Sequence, residues 1–500
     1  MRIGTHLRAG FALLLLAVGA SVSAARPTAA ASFQLGSLQF ATCDLKDRSD
    51  GDLLGARCAY LQVPENPAEP AGRQIQLRIA LAAANNVKPT EDPVFFLAGG
   101  PGQSAVEAYP QIAAGLARVR EKRHLLMVDQ RGTGASNPLK CEGKEGKSAY
   151  AADDDSAAAQ VAFVRGCLKS LAGRADPRFY TTTVAVTDLD RVRQAIGAEK
   201  INLIGVSYGT RVAQVYLRHY PSHVRSIVLD GVVPPDLVLG NDFASNLESA
   251  LQGIFERCKK AADCHAAFAD PAADLARLLA ALRGQSQRVD YRDPKTGELL
   301  SEDLTAADVG GVVRLFAYTP ETAALLPLAL HEAVNGQPQA LLAQSRLITG
   351  DLSEQIMHAM QMAVICSEDG PYLMARPEDA ATVMGNDFVN ALQTQCAVWP
   401  TGERPTDFYA APLSAVPTLL LSGEFDPVTP PRYGEATLKH FSHGRHLLVA
   451  GRGHNVMTAG CVPRLLAQFV EQADAGALDV ACLKDFAAIP AFLNRNGWAP

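Results

Sequence analysis

The chain has 500 residues, 48% of them hydrophobic and 20% charged, with a formal net charge of -6. This is globular composition with ample length for a large core. No basic block stands out, which argues against a nucleic-acid partner.

The first element is not part of the fold. Two arginines in "MRIGTHLRAG", the short apolar run "FALLLLAVGA" and the small-residue stretch "SVSAA" read as a secretory signal peptide over residues 1–24, cut after Ala24 or Ala25. The apolar run is too short to span a bilayer comfortably, so no stable membrane association is expected after cleavage. Export, to periplasm or medium, agrees with the ten cysteines. They fall in sequence-local couples (Cys43 and Cys58, Cys141 and Cys167, Cys258 and Cys264, Cys366 and Cys396, Cys461 and Cys482), and an even count in an exported chain suggests disulfides. Sequence does not fix their connectivity; nearest-neighbour pairing is the simplest arrangement. No C-x-x-C or H-E-x-x-H occurs, and no metal or cofactor is expected.

Residues 26–38 read as an N-terminal tail. "RCAYLQVPEN" and "QIQLRIALAAA" then read as two strands, followed by the buried strands in "PVFFLAGGPG", "HLLMVDQRGTG", "INLIGVS" and "VRSIVLDGVV". Helical stretches at about 103–119, 155–171, 183–196 and 208–219 separate them. Strands alternating with helices predict a mostly parallel sheet covered on both faces. The alternation stops near Pro234. Residues 236–410 are rich in Ala, Leu and Gln with helical periodicity, and are expected to form an inserted helical cap. The sheet pattern resumes in "VPTLLLSGEFD" and "RHLLVAGRGH". The expected division is therefore a core of 38–235 and 411–500 around a cap of 236–410.

Gly205-Val206-Ser207-Tyr208-Gly209 lies between a buried strand and the helix "YGTRVAQVYLRHY". A serine between glycines at such a turn is lifted above the sheet edge, at a helix N-terminus. A serine hydroxyl is a weak nucleophile until a base takes its proton, and the base needs an orienting carboxylate. Two later strands end in candidates for these parts: Asp426 in "LLLSGEFDPVTP" and His454 in "HLLVAGRGHNVM". The order Ser, Asp, His is the one this architecture uses. Asp230 and then Glu424 are the rivals for the acid. His443, His446, His219 and His223 read as structural. Acyl transfer also needs backbone donors for a developing oxyanion. The Tyr208 amide and the Gly100 amide in "LAGGPGQSA" stand in the right places. Asp129 and Arg131 in "VDQRGTGAS" read as scaffolding.

"GGPG", "DQRGTGAS", "GVSYGT", "GEFDPVTP" and "GRGH" occur in that order, and the set resembles the α/β-hydrolase peptidases of the prolyl aminopeptidase type. "VICSEDG" and "CAVWP" resemble the C-terminal part of tripeptidyl aminopeptidases. Ala98 stands where prolyl aminopeptidases carry histidine before Gly-Gly-Pro-Gly, which argues against strict proline specificity. The resemblance implies an α/β-hydrolase fold and an exported serine exopeptidase that takes short peptides with a free N-terminus. It further implies a carboxylate for the substrate amine, and Glu368 and Asp369 of "CSEDG" are the candidates. A carboxylesterase with the same triad is the alternative, and a non-catalytic binding protein the third reading.

Overall fold

The computed structural model describes residues 32–47, 51–141 and 156–498. The signal-peptide reading of residues 1–24 lies outside them. The strands are β1 (Phe33–Leu35), β2 (Leu38–Lys46), β3 (Leu53–Pro64), β4 (Gln74–Ala82), β5 (Val94–Leu97), β6 (Leu125–Val128), β7 (Ile201–Val206), β8 (Val224–Asp230), β9 (Gln287–Arg292), β10 (Leu299–Leu304), β11 (Thr418–Gly423) and β12 (Gly444–Val449). The helices of the first half are α1 (Ala105–Arg120), α2 (Ala157–Leu171), α3 (Thr182–Ala195) and α4 (Tyr208–His219). The segment after β8 contributes α5 (Phe243–Lys260), α6 (Ala262–Ala267), α7 (Pro271–Leu282), α8 (Ala306–Phe316), α9 (Pro320–Ala323), α10 (Leu326–Val334), α11 (Gln339–Gln355), α12 (His358–Glu368) and α13 (Asp387–Cys396). The last two helices are α14 (Pro431–Leu438) and α15 (Val462–Gln472).

Ten strands form one sheet in the order β1-β2-β3-β4-β6-β5-β7-β8-β11-β12. β1 to β4 run as an antiparallel meander, β4 joins β6 antiparallel, and every pair from β6 to β12 is parallel. The parallel strands β5, β6, β7 and β11 are buried at every residue, as strands covered on both faces must be. The chain leaves β5 for β6 on one side and returns to β7 on the other. Strand order thus reverses between β5 and β7, where open α/β sheets bind ligands beyond the carboxyl ends. This is the α/β-hydrolase fold that the motif order implies.

Three departures from the sequence reading matter. The supposed tail enters the sheet as β1, and the inserted segment carries a β9–β10 hairpin. The inserted segment is also not uniform. Leu247, Leu275, Val309, Leu326 and Leu342 belong to a core separate from the sheet. Ala359 to Cys366 on α12, with Trp399 and Phe408, instead join the core of the α3–α4 face, beside Tyr208, Val212 and Tyr216. Only the earlier part of the 236–410 expectation has a core of its own.

All ten cysteines are paired, in the nearest-neighbour arrangement: Cys43–Cys58, Cys141–Cys167, Cys258–Cys264, Cys366–Cys396 and Cys461–Cys482. Among the described residues no helix is long and apolar enough to cross a membrane.

Candidate active site

Ser207 ends β7 and starts α4 with φ 55° and ψ -123°, a conformation that L-residues rarely hold without surrounding constraint. The constraint comes from its glycine neighbours. A Cβ on Gly205 would lie 2.4 Å from the Gly209 carbonyl oxygen, and one on Gly209 would lie 2.2 Å from that of Leu97. The turn can close only with glycine at both positions. Ser207 is the N-cap of α4, yet its hydroxyl makes no capping bond. It is half-exposed while the residues on either side are buried.

β5 and β7 are paired, with Leu97 opposite Gly205, so the Gly99–Gly102 loop leaves the sheet beside the serine turn. A Cβ on Gly99 would come within 3.1 Å of the Ser207 Cβ. The Gly99 amide donates to the Gln103 side chain at 3.3 Å, whereas the Gly100 amide finds no acceptor among the described residues. The Tyr208 amide, first in α4, has no intrahelical acceptor either.

Asp426 and His454 lie on the loops after β11 and β12, at the same sheet end. His454 Nδ1 is 2.8 Å from Asp426 Oδ2. The other carboxylate oxygen accepts the Val428 and Thr429 amides, both at 2.8 Å. Burial pushes the Asp426 carboxyl up, but the His454 charge and these hydrogen bonds outweigh it and hold it below the usual range. For His454 burial works against protonation, and Asp426, with Asp230 further off, more than offsets it, so the imidazole is raised. Ser207 and His454 each lie against the Asp230–Gly231 segment. The Ser207 amide donates to the Asp230 carbonyl at 2.9 Å, and a Cβ on Gly231 would touch His454 Cε1 at 3.0 Å.

The rival acids have other work. Asp230 is fully buried and accepts the Val456 amide on both oxygens and the Met457 amide on one, so it fastens the loop that carries His454. Glu424 accepts the Gly451 amide at 2.7 Å. His446 bonds Ser422, and His223 the Glu199 carbonyl. Asp129 takes the Ser104 hydroxyl and the Val106 and Ala135 amides, joining the end of the glycine loop to the "DQRGTGAS" turn. Arg131, wholly buried, makes a two-pronged pair with Asp188 at 2.7 and 2.9 Å and donates to three backbone carbonyls.

Glu368 and Asp369 are not where an incoming amine could meet them. They are 1% and 0% exposed. Asp369 pairs with Arg211 of α4 at 2.8 Å and accepts from the Tyr409 hydroxyl at 3.0 Å. Glu368 Oε1 accepts the Thr182 amide at 2.5 Å, and Oε2 accepts the Thr182 hydroxyl at 2.9 Å. The expected amine contact is therefore corrected to an internal role. The physical reason is the packing of α12 into the sheet domain, with Arg211 as the buried counter-charge.

Several residues invisible to motif reading complete the site. Thr429 Oγ1 lies 2.8 Å from Asp426 Oδ2 and 3.2 Å from His454 Nδ1. Asn246 of α5, 1% exposed, donates to the Val428 carbonyl at 2.8 Å and so grips the turn carrying Asp426. The His454 amide donates to the Tyr318 carbonyl at 2.7 Å, and the two rings stand edge to face, with centroids 5.3 Å apart. The Met357 amide donates to the Gly102 carbonyl at 2.9 Å. The inserted segment thus touches the acid loop, the histidine loop and the glycine loop.

Comparison with known proteins follows the same lines. A model of the alpha/beta hydrolase fold matches residues 92–266, and one described as TAP-like protein matches residues 381–482. Serine protease Hip1 of Mycobacterium tuberculosis is 27% identical over 439 residues, covering 81% of this chain and 83% of that protein. Tripeptidyl aminopeptidase of Streptomyces lividans is 32% identical over 193 residues, 36% of each chain. Carboxylesterase B of M. tuberculosis is 28% identical over 431 residues, covering 76% of this chain and 77% of that protein.

Proposed function

Because the chain belongs to the α/β-hydrolase peptidases, we propose that it is an exported serine exopeptidase that cleaves near the free N-terminus of short peptides. The observation that supports serine-hydrolase chemistry is the buried 2.8 Å contact of Asp426 with His454, at the sheet end where Ser207 is held in its strained turn, and the similarity to a tripeptidyl aminopeptidase supports the exopeptidase part. Ser207 Oγ attacks the scissile carbonyl while His454 Nε2 takes its proton. Asp426 holds the Nδ1 hydrogen and balances the imidazolium charge. The Tyr208 and Gly100 amides receive the oxyanion. His454 then returns the proton to the leaving amine, and water releases the acyl group by the same steps in reverse. The five disulfides support export.

The similarity to a carboxylesterase supports a second reading, an esterase with the same triad. One assay set separates the two: free-amine alanyl, prolyl and tripeptidyl anilides, a matched N-blocked anilide and a short-chain ester, with wild type and Ser207→Ala. Turnover of a free-amine anilide, absent in the variant and absent for the blocked compound, is expected. Turnover of the ester alone would overturn the exopeptidase and leave the esterase.

A further inference from the structure

The correction of Glu368 leaves a buried carboxylate with no assigned task, joined by hydrogen bonds to an oxyanion residue. We propose that Glu368 is a positioning residue, which orients Tyr208, and with it the first amides of α4, through the hydroxyl of Thr182. This rests on the assignment of Tyr208 to the oxyanion site.

The contacts form a chain with a direction. An ionised carboxylate can only accept hydrogen bonds. Thr182 therefore gives its single hydroxyl hydrogen to Glu368 Oε2, at 2.9 Å, and has none left for Tyr208. The Tyr208 phenol, 2.6 Å from Thr182 Oγ1, must donate to it. Its oxygen is then free to accept Gln130 Nε2, at 3.2 Å. Each group is satisfied once, in one order. Protonating Glu368 reverses the order. The acid would donate to Thr182, Thr182 to Tyr208, and the phenol would face two donors. Either the Gln130 amide turns over or the phenol leaves, and both alter what holds Tyr208.

The same helix is tied a second time. Arg211, one turn beyond Tyr208, lies 2.8 Å from Asp369 and 3.7 Å from Glu368. It also bonds the Leu237 carbonyl. The groups facing Glu368 are thus Arg211 and Tyr208 from α4, Thr182 from α3, Asp369 beside it, and Tyr409, whose hydroxyl donates to the Glu368 carbonyl at 2.9 Å. With both acids ionised the trio carries one negative charge in excess. Burial pushes the Glu368 carboxyl up to about 7; Arg211 and the Thr182 bonds pull it down, and Asp369 pushes it up. The chain therefore changes direction near pH 7.

The test uses ester hydrolysis from pH 5 to 9, which reads Ser207 chemistry whether or not anilides are substrates. Loss of ester turnover in Ser207→Ala first establishes that chemistry, so failure of the exopeptidase reading is seen separately, on the anilides. In wild type the acid limb of log kcat/KM is expected to run steeper than a slope of 1 over about one pH unit below about pH 7, because His454 must lose a proton and protonation of Glu368 lowers the rate by about a further tenfold. Glu368→Gln should show a slope of 1, with kcat about tenfold lower at pH 8 and KM within twofold. That is a fraction of the loss when an oxyanion donor is removed outright. Its thermal midpoint should not fall, since a buried charge is removed. Thr182→Val, which leaves the charged trio intact, should lower kcat likewise, and Thr182→Ser should restore it. A slope of 1 in wild type, or full kcat in Thr182→Val, would overturn the proposal.

Discussion

Asp426→Asn tests the proposed triad most sharply, because the surrounding bonds dictate how the new amide must sit. Asp426 Oδ1 accepts two backbone amides, from Val428 and Thr429, both at 2.8 Å. The asparagine oxygen must take that place, since an NH2 group there would face two donors. Its NH2 then occupies the Oδ2 position, 2.8 Å from His454 Nδ1, and must donate. The Thr429 hydroxyl can turn and accept the second hydrogen. The imidazole is driven into the tautomer with Nδ1 bare and its hydrogen on Nε2, which cannot take a proton from Ser207. The fold survives and the base does not. Wrong-tautomer triads lose about 10⁴ in kcat, or about 5 kcal/mol of transition-state stabilisation. Ester hydrolysis at pH 8 measures it, with a urea unfolding curve to show that the structure is intact. A loss of less than about tenfold in a folded variant would refute the argument and remove Asp426 from the mechanism.

Asn246→Ala should cost about 1–3 kcal/mol of stability, since it strips the Val428 carbonyl of a buried donor, and should lower kcat more than it changes KM; denaturant unfolding and ester kinetics read the two effects. Burial pushes the Asp230 carboxyl up to about 6, against the Val456 and Met457 amides that pull it down. The folded protein therefore keeps this proton where the unfolded chain has lost it, and stability falls as pH rises from about 4 to about 6. Asp230→Asn should remove about 2 kcal/mol of that pH dependence, read as the difference between variant and wild-type unfolding free energies at pH 4 and pH 7. Replacing Cys366 and Cys396 together by serine opens a loop of 30 positions that joins α12 to α13. About 3 kcal/mol of stability should be lost, measured by thermal unfolding, and kcat should fall with it.

The serine turn was legible because its requirement is local: two backbone oxygens leave no room for a side chain on Gly205 or Gly209, and the motif records that. The Asp426 and His454 positions followed from chain order, since each lies just past a late strand, and the two side chains stand 2.8 Å apart. Glu368 and Asp369 were misread for the opposite reason. Whether an acidic pair faces water depends on its counter-charge, and Arg211 stands 158 positions away on a helix whose partner no local pattern names. Thr429 had a faint signal, the Asp-x-x-Thr spacing within a proline-rich turn. Asn246 had none; its value comes from a contact with Val428, 182 positions on. β9 was hidden because only two of its six residues, Val289 and Tyr291, are buried, too few to stand out among helices.

The five disulfides never interleave: each closes before the next begins, over separations of 15, 26, 6, 30 and 21 positions. For a chain that emerges N-terminus first, whether from a ribosome or through a translocation pore, this has a consequence for assembly. Every second cysteine to appear finds one unpaired thiol already exposed, and that thiol is its native partner. Short loops also close at lower entropic cost than long ones. An oxidant that acts as fast as the chain emerges would therefore produce the correct set with no reshuffling. Refolding from the fully reduced state, with ten thiols competing at once, should depend on a disulfide isomerase far more than first-time folding does.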